Sequence, residues 1–205
     1  MRSCWIFGGA PVSNDFSVNP PDDAYIIAAD KGYLTVKQMG LTANIALGDF
    51  DSMSRDIPQD CEVISVSAEK DDTDTMLAVK IALTKGYTDI TIVGALGGRL
   101  DHTFANIQTL AYIREHGGVG RIIGETDTVE LLSRGSYNYP RKDDMYLSIF
   151  AYTPSATVTT TGTKYDITEY KLSNAFPLGV SNEIIEQECN LNVEDGRIIV
   201  IFSKK

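Results

Sequence analysis

Aspartate side chains recur at short spacings in the N-terminal half of this 205-residue chain. Asp49 and Asp51 are two residues apart, so in an extended stretch both carboxylates point to the same side. Asp71 and Asp74 are three residues apart at a predicted helix start, where they can face one point. Mg²⁺ takes oxygen ligands, usually one or two carboxylates together with substrate phosphates and water. Because no histidine or cysteine lies nearby in sequence, these aspartates suit magnesium.

A second set of residues is suited to an anion. Gly97 and Gly98 allow backbone N–H groups to approach a phosphate closely, and the Arg99 guanidinium can hold two phosphate oxygens at once. The segment is not a Walker A loop, because G-x-x-x-x-G-K-[ST] occurs nowhere in the chain. Residues 94–98 also lack the G-x-G-x-x-G spacing of dinucleotide-binding loops. A Gly-Gly pair alone is more often a turn, so the cradle depends on its surroundings.

Short apolar runs alternate with helical patterns through about residue 124, which indicates a parallel α/β sheet. The pattern predicts helices over residues 32–39, 73–85 and 102–116. It predicts buried strands over residues 4–7, 25–29, 45–47, 63–66 and 90–93. The remainder has no helical pattern and is rich in strand candidates at residues 128–132, 146–151, 156–161, 188–193 and 197–202.

The change of pattern divides the chain into two predicted domains. Residues 1–124 form an α/β domain with a mainly parallel sheet, and residues 125–205 form an all-β sandwich domain. Asp195-Gly196, between the last two strand candidates, predicts a two-residue hairpin.

The predicted sheet brings the polar segments together. Each follows a strand candidate, and the carboxyl ends of parallel strands lie along one edge of a sheet, where ligands bind. The aspartates and the Gly97-Gly98-Arg99 segment are therefore expected to converge in space. A simpler alternative exists for each aspartate taken singly: Asp71 or Asp72 caps a helix, Asp101 caps the next, and Asp49 and Asp51 form turns.

Composition excludes several classes of protein. A net charge of −10, from 18 basic and 28 acidic residues, lacks the positive field that attracts nucleic acid. Three cysteines far apart in sequence predict neither a disulfide framework nor a zinc site, and fit a reducing cytoplasm. The first apolar run is too short for a signal peptide, and no run is long enough to span a membrane.

Five motifs in this order resemble those of bacterial thiamine pyrophosphokinases, and they extend over nearly the whole chain. They are ADKG at 29–32, GDFDS at 48–52, KDDTD at 70–74, GALGGRLDH at 94–102 and GVSNE at 179–183. Lys31 departs from the pattern, since many relatives have glycine there. The GDFDS and GGRLDH segments are specific to a narrow group of proteins.

The resemblance implies an enzyme that transfers the pyrophosphoryl group of Mg-ATP to the hydroxyethyl oxygen of thiamine, leaving AMP. It implies a nucleotide-binding catalytic domain followed by a thiamine-binding domain. It further implies a homodimer whose active site lies between subunits, with ATP and thiamine as its ligands and neither nucleic acid nor membrane as partner.

The resemblance also implies roles for individual residues. Mg²⁺ ligands are expected at Asp49, Asp51 and Asp74, with Asp71 and Asp101 completing the acidic cluster and either of them able to accept the hydroxyl proton. Phosphate contacts are expected from Arg99 and Lys70. The nucleotide site is expected to include Asp30, Gly32, Thr73 and Gly97. Thiamine contacts are expected from Ser181 and Asn182, with Tyr165 as the candidate for stacking on the substrate.

Two alternatives to this function stay open at the level of sequence. One is a pyrophosphokinase for another primary alcohol, such as a hydroxymethylpterin, since related proteins share the acidic motifs. The other is a non-enzymatic module that binds a metal-nucleotide complex on the same scaffold. A D-x-D glycosyltransferase fits less well, because the chain is short for one and the Asp71/Asp74 pair would be unexplained.

Overall fold

The computed structural model describes residues 2–49, 60–66 and 71–205. Residue contacts divide the chain into two compact units, 1–125 and 126–205, next to the boundary expected at residue 124. The described residues contain three helices and fourteen strands, so the protein is mostly β.

The N-terminal unit contains six strands and three helices. The strands are β1 (Ser3–Phe7), β2 (Tyr25–Ala29), β3 (Ile45–Gly48), β4 (Glu62–Ser65), β5 (Asp89–Val93) and β6 (Val119–Ile123). The helices are α1 (Gly32–Gln38), α2 (Asp74–Thr84) and α3 (Leu100–Glu115). The strands lie in the order β4-β3-β2-β1-β5-β6, and every pair described is parallel, as the alternating pattern predicts. The sixth strand, β6, was not predicted.

This strand order fixes where a ligand can bind. The chain builds outward from β1 in one direction through β2, β3 and β4, and in the other through β5 and β6. The connections therefore diverge between β1 and β5, and in open α/β sheets the crevice beyond the carboxyl ends of such strands is the binding position. Both strands are largely buried, which gives this crevice a rigid floor.

The start of α2 decides between two roles for the nearby aspartates. Thr73 is the N-cap residue, and its hydroxyl accepts a hydrogen bond from the Met76 N–H at 3.1 Å. The alternative in which Asp71 or Asp72 caps this helix is therefore wrong. Asp101 does not cap α3 either, since it lies inside the first turn and Arg99 is the N-cap residue.

The C-terminal unit contains eight strands. They are β7 (Asp127–Leu132), β8 (Gly135–Pro140), β9 (Met145–Ala151), β10 (Ser155–Thr161), β11 (Ile167–Ser173), β12 (Gly179–Asn182), β13 (Glu188–Asp195) and β14 (Ile198–Lys204). They form the arrays β12-β9-β14-β7 and β11-β10-β13-β8, in which every described pair is antiparallel. One apolar core takes side chains from both arrays, including Val158, Leu191 and Val200, each almost fully buried.

The hairpin predicted at Asp195-Gly196 is wrong. Strand β13 pairs with β10 and β8, whereas β14 pairs with β7 and β9, so the two strands on either side of the turn belong to different arrays. Gly196 has a φ of +77°, and a Cβ there would lie 2.5 Å from the Ser155 carbonyl oxygen. The turn therefore transfers the chain across the core. In the described ranges, no helix has the length and apolarity to cross a membrane.

Candidate active site

A cavity of about 570 Å³ lies at the carboxyl ends of the N-terminal strands. Its walls come from the segments after β1, β2 and β5 and from the starts of α2 and α3. The lining residues are Gly9, Ala10, Pro11, Ala29, Asp30, Lys31, Asp72, Thr73, Asp74, Thr75, Gly94, Ala95, Gly97, Gly98, Arg99, His102 and Asn106. The sequence-predicted residues Asp30, Thr73, Asp74, Gly97 and Arg99 therefore share one cavity at the expected edge of the sheet.

One wall of the cavity is the glycine loop, residues 94–99. Four of its carbonyl groups accept hydrogen bonds, among them that of Arg99, which accepts from the Thr103 N–H at 3.1 Å. The Gly94 oxygen accepts from the Ala10 N–H at 2.9 Å, and the Ala95 oxygen accepts from the Asn106 side-chain amide at 2.9 Å. The Gly97 oxygen accepts from the Thr103 hydroxyl at 3.2 Å. These four carbonyl oxygens of the loop are therefore already hydrogen-bonded within the protein.

The N–H groups of the glycine loop are left available. Within the described part of the chain, the N–H groups of Leu96, Gly97 and Gly98 have no hydrogen-bond partner. Gly97 and Gly98 have φ values of +82° and +68°, a conformation in which successive N–H groups can turn toward one point. A loop with occupied carbonyls and unoccupied N–H groups suits an anion, as the sequence predicts.

The acidic side of the cavity begins at Asp30. This residue has a φ of +54°, a left-handed conformation that is uncommon outside glycine. A Cβ on Gly9 would lie 2.9 Å from the Asp30 carboxylate, so the glycine makes room for it. Burial raises the pKa of Asp30, and the charges of Asp74 and Asp49 raise it further, while the Lys31 N–H and side chain oppose the rise.

Asp74 and Asp49 are therefore both near enough to Asp30 to disfavour its charged form, an arrangement that a divalent cation would relieve. Their oxygens are the donors that Mg²⁺ prefers. Asp49 is exposed directly after β3. Asp51 and Lys70 lie outside the described residues. Among the residues the structure does describe, no three histidine, cysteine or acidic side chains are already arranged around one metal position.

Arg99 and Asp101 pair with each other at the mouth of the cavity. The guanidinium donates to the Asp101 carboxylate through Nη2 at 2.5 Å and Nε at 3.1 Å. This pair lowers the pKa of Asp101, with a smaller contribution from the His102 N–H, which donates to Oδ1 at 2.9 Å. Both side chains are exposed, so the guanidinium is held at the surface and stays accessible to a phosphate.

Among the predicted N-terminal residues that the structure describes, Gly32, Asp49, Asp71 and Asp101 are not part of the cavity lining. Asp71 lines a smaller adjoining groove of about 220 Å³, which also borders Asp72 and Thr73. Gly32 lies beneath the cavity at the start of α1, where a Cβ would lie 1.9 Å from the Phe7 carbonyl oxygen. Its lack of a side chain lets α1 begin against the end of β1.

The predicted thiamine contacts belong to the C-terminal unit. Ser181 has a φ of +59°, and its N–H donates to the Ser148 hydroxyl at 3.0 Å. The Asn182 amide makes four hydrogen bonds: Nδ2 donates to the Thr163 hydroxyl and the Tyr165 carbonyl, and Oδ1 accepts from the N–H groups of Tyr165 and Glu183. The Tyr165 ring is 64% exposed. Asn182 thus joins the Ser181 strand to the loop that carries Tyr165.

Glu183, next to Asn182, is fixed by two cations. Its carboxylate accepts from Lys164 at 3.0 Å and from Lys205 at 2.5 Å, and these bonds lower the pKa of Glu183. A shallow groove of about 560 Å³ elsewhere on this unit, lined by Arg141 and residues 185–188, includes none of the predicted residues.

Sequence reasoning missed Asn106, and it did not single out Lys31 and Asp72 as lining residues. Asn106 is only 7% exposed. A signal for it was present: it follows His102 by one turn of the predicted helix, and it is a polar residue among apolar neighbours. Lys31 and Asp72 adjoin predicted residues and carry no distinguishing pattern of their own.

Comparison with known proteins identifies the family. The model described as "Thiamin pyrophosphokinase, catalytic domain" matches residues 21–118, and "Thiamin pyrophosphokinase, vitamin B1 binding domain" matches residues 138–198. The curated thiamine pyrophosphokinase of Bacillus subtilis (strain 168) is 32% identical over 212 residues, which cover 99% of each chain.

Solved structures that resemble this chain belong to the same family. The crystal structure of thiamine pyrophosphokinase from Bacillus subtilis matches with a TM-score of 0.88 at 26% identity, and the thiamin pyrophosphokinase family protein from Enterococcus faecalis matches with 0.85 at 32%. Each match covers 100% of both chains. The chain therefore belongs to the thiamin pyrophosphokinase family.

Proposed function

We propose that this protein is a thiamine pyrophosphokinase, which converts thiamine and Mg-ATP to thiamine diphosphate and AMP. The observation that supports this most directly is the cavity itself, which is lined both by a loop whose N–H groups have no partner among the described residues and by the carboxylates of Asp30, Asp72 and Asp74. A polyphosphate needs the first and its accompanying cation needs the second. The family membership supplies thiamine as the acceptor.

In this reaction the hydroxyethyl oxygen of thiamine forms a bond to the β-phosphorus of ATP. The bond from the β-phosphorus to the oxygen that bridges it to the α-phosphorus breaks, and AMP leaves with that oxygen. The hydroxyl proton passes to a base or to water. The protein's main contribution is to place the alcohol in line with the bond that breaks.

Asp49, Asp51 and Asp74 are the proposed ligands of Mg²⁺. When bound, Mg²⁺ neutralises phosphate charge and fixes the phosphate oxygens. Without cations, ATP brings about four negative charges to a chain of net charge −10, and each pair of unit charges 4 Å apart costs roughly 4 kcal/mol at an effective dielectric of about 20. The raised pKa of Asp30, to which Asp49 and Asp74 contribute, supports a cation position at this side of the cavity.

The glycine loop, Arg99 and Lys70 are the proposed phosphate contacts, with Asp30 and Thr73 lining the nucleotide site. Gly32 contributes to this site indirectly, because its lack of a side chain allows α1 to begin against the end of β1. Arg99 exchanges its contact with Asp101 for one with phosphate oxygens, which leaves Asp101 free to orient other donors. Once Arg99 has moved to the phosphates it no longer lowers the pKa of Asp101, so Asp71 and Asp101 are both candidates to accept the hydroxyl proton.

Residues 1–124 are the proposed nucleotide-binding catalytic domain and residues 125–205 the thiamine-binding domain. Tyr165 is exposed, with Lys164 Nζ 5.7 Å from its ring centroid, so its ring is available for stacking, and Ser181 has an uncommon backbone conformation on strand β12. Asn182 and Glu183 are tied to the Tyr165 loop and to two lysines, so the Ser181-Asn182 segment offers a fixed surface for the substrate.

The proposed assembly is a homodimer with its active site between subunits. Exposed apolar side chains flank both halves of the proposed site: Leu100 beside Arg99, and Val180 beside Ser181. A second subunit would cover such groups. The proposed location is the cytoplasm, where ATP is abundant and where three unpaired cysteines are stable.

The decisive experiment is incubation with Mg-ATP and thiamine, followed by mass analysis. The proposal requires a product heavier by two phosphate groups together with AMP. A gain of one phosphate with ADP would contradict it. Equal AMP release with a hydroxymethylpterin would support the broader alcohol specificity, which the family match does not favour. Nucleotide binding without AMP release would support a non-enzymatic module.

A further inference from the structure

Asn106 is a buried polar side chain that both lines the cavity and bonds to the glycine loop. It lies in the second turn of α3 and is 7% exposed. Its Nδ2 donates to the Ala95 carbonyl oxygen at 2.9 Å. Because only the amide nitrogen can donate to a carbonyl, this contact fixes which way the amide is turned. Its Oδ1 has no hydrogen-bond partner in the described ranges.

The bond to Ala95 also fixes the following N–H group. A trans peptide is planar, and its N–H points opposite to its C=O. Holding the Ala95 oxygen toward α3 therefore turns the Leu96 N–H away from α3. The Thr103 hydroxyl does the same for the Gly97 oxygen and the Gly98 N–H, although it is shared with the Arg99 oxygen at 3.3 Å. The Asn106 contact is the shorter and the more buried of the two.

Without this donor, the Ala95–Leu96 peptide has a reason to rotate. Its carbonyl oxygen would be left without a hydrogen bond beside a buried position, a state that proteins rarely tolerate. Rotation changes ψ of Ala95 and φ of Leu96, and the flanking Gly94 and Gly97, with φ values of +63° and +82°, let the chain on either side adjust. Rotation would exchange the directions of this carbonyl oxygen and the Leu96 N–H, between Ala95 and Gly97, which both line the cavity.

We infer that Asn106 is a positioning residue for the nucleotide phosphates, acting through the direction of the Ala95–Leu96 peptide. The inference rests on the proposed function only in taking a nucleotide polyphosphate as the ligand. According to this inference, Asn106 contributes to binding of the nucleotide and not to binding of thiamine.

The test uses the full chain with Mg²⁺ and α,β-methylene-ATP. In this analogue a methylene group joins the α- and β-phosphorus, so the pyrophosphoryl group cannot be transferred. We expect Asn106→Leu to raise the Kd of this nucleotide at least about tenfold, as loss of a well-directed bond to a charged group does. The Kd of thiamine should stay within about twofold. Asn106→Asp, of equal size but unable to donate, should weaken the nucleotide as much or more.

The matched control is Thr109→Val. Thr109 is 5% exposed on the same helix, and its hydroxyl donates to the Ala105 carbonyl within that helix, away from the glycine loop. This variant should lose some thermal stability and keep nucleotide affinity. Unchanged nucleotide affinity in folded Asn106→Leu, or equal weakening of both ligands, would overturn the inference.

A measurement on the unmodified protein keeps the inference testable if the variants do not fold. Amide ¹⁵N–¹H resonances of Leu96 and Gly98 should shift downfield when α,β-methylene-ATP binds, because their N–H groups acquire an anionic acceptor. Unmoved resonances at saturation would overturn it. Unmodified protein that binds α,β-methylene-ATP but forms no AMP from ATP and thiamine would contradict the proposed enzyme, and would leave the role of Asn106 in binding intact.

Discussion

The conflict between stability and function is sharpest at Asp30. Burial and two neighbouring aspartates raise its pKa, so the folded chain holds the ionised form at a cost. With a folded-state pKa above the ordinary value of 3.8, the cost sets in as the pH rises through the raised pKa and is absent below 3.8. A site that attracts a cation is thus unfavourable when no cation is bound.

Replacing Asp30 by Asn should therefore raise the Tm of the metal-free protein at pH 7 to 8. Asparagine removes the charge and tolerates the left-handed φ of +54°, so little else changes. The gain should shrink as the pH falls through the raised pKa toward 3.8, while turnover with Mg-ATP decreases at all pH values. Thermal unfolding in EDTA at a series of pH values measures it, and a Tm gain independent of pH would contradict this explanation.

Arg99 allows a test of the phosphate site with a closely matched partner. Arg99→Ala should raise the KM for ATP by roughly 10- to 100-fold and change the KM for thiamine little, because it removes a charged hydrogen bond to phosphate. Arg141 likewise is exposed and bonds through Nε to an aspartate two residues later, at 2.6 Å. Steady-state kinetics of Arg141→Ala should resemble the unmodified protein, and equal effects of the two substitutions would remove Arg99 from the site.

At the scale of elements, two predicted site glycines serve different purposes. Gly32 allows α1 to start against β1, whereas Gly97 has no atom within 4 Å of its missing Cβ and a φ of +82°. Gly32→Ala should destabilise the fold by more than about 3 kcal/mol, because backbone must move to relieve a 1.9 Å approach. Gly97→Ala should cost about 1 kcal/mol and act chiefly on nucleotide affinity.

Gly40 supplies the control, since its φ is +69° with no atom near its missing Cβ, at the end of α1. Gly40→Ala should cost the same stability as Gly97→Ala and leave nucleotide binding unchanged. Urea unfolding and nucleotide titration of the three variants separate these effects. Equal stability of the Gly32 and Gly97 variants would show that the approach to Phe7 is not limiting.

Helices and strands are well predicted where one face or the whole element is buried, and poorly predicted where few of its side chains are buried. All five predicted parallel strands and all three helices are present, with ends within about two residues. Strand β11 was missed because Leu172 is its only fully buried residue, so it has no alternating apolar signal. The error at Asp195-Gly196 has another origin: turn residues predict a change of direction, and whether the next strand joins the same array depends on distant partners.

The site was predictable for the same reason as the sheet. Parallel topology brings the ends of β1, β2 and β5 together, so residues near those ends, such as Asp30 and Gly97, share one cavity. Asn106 escaped because its function depends on a carbonyl eleven residues earlier, a contact that periodicity does not encode. Asp51 and Lys70, outside the described residues, keep their predicted roles only as predictions.

At the scale of the whole molecule, the unsolved question is how the C-terminal unit's apolar surface is covered. Phe176, Leu178 and Val180 are 65%, 47% and 51% exposed within five residues, leading into strand β12 and the Ser181-Asn182 segment. Stable dimers bury about 800 Å² per partner, usually around apolar and aromatic side chains. A subunit interface at this position would join assembly to the thiamine site.

Phe176→Glu should accordingly shift the protein from dimer to monomer at micromolar concentration and raise the KM for thiamine, because a carboxylate is costly to bury. Leu34→Glu is the control: Leu34 is 44% exposed on α1, in the N-terminal unit. It should leave both properties unchanged. Sedimentation velocity, run beside steady-state kinetics, measures the two together. A Phe176→Glu protein that stays dimeric with an unaltered thiamine KM would place the subunit contact elsewhere, and one that becomes monomeric at full activity would show that each chain completes its own active site.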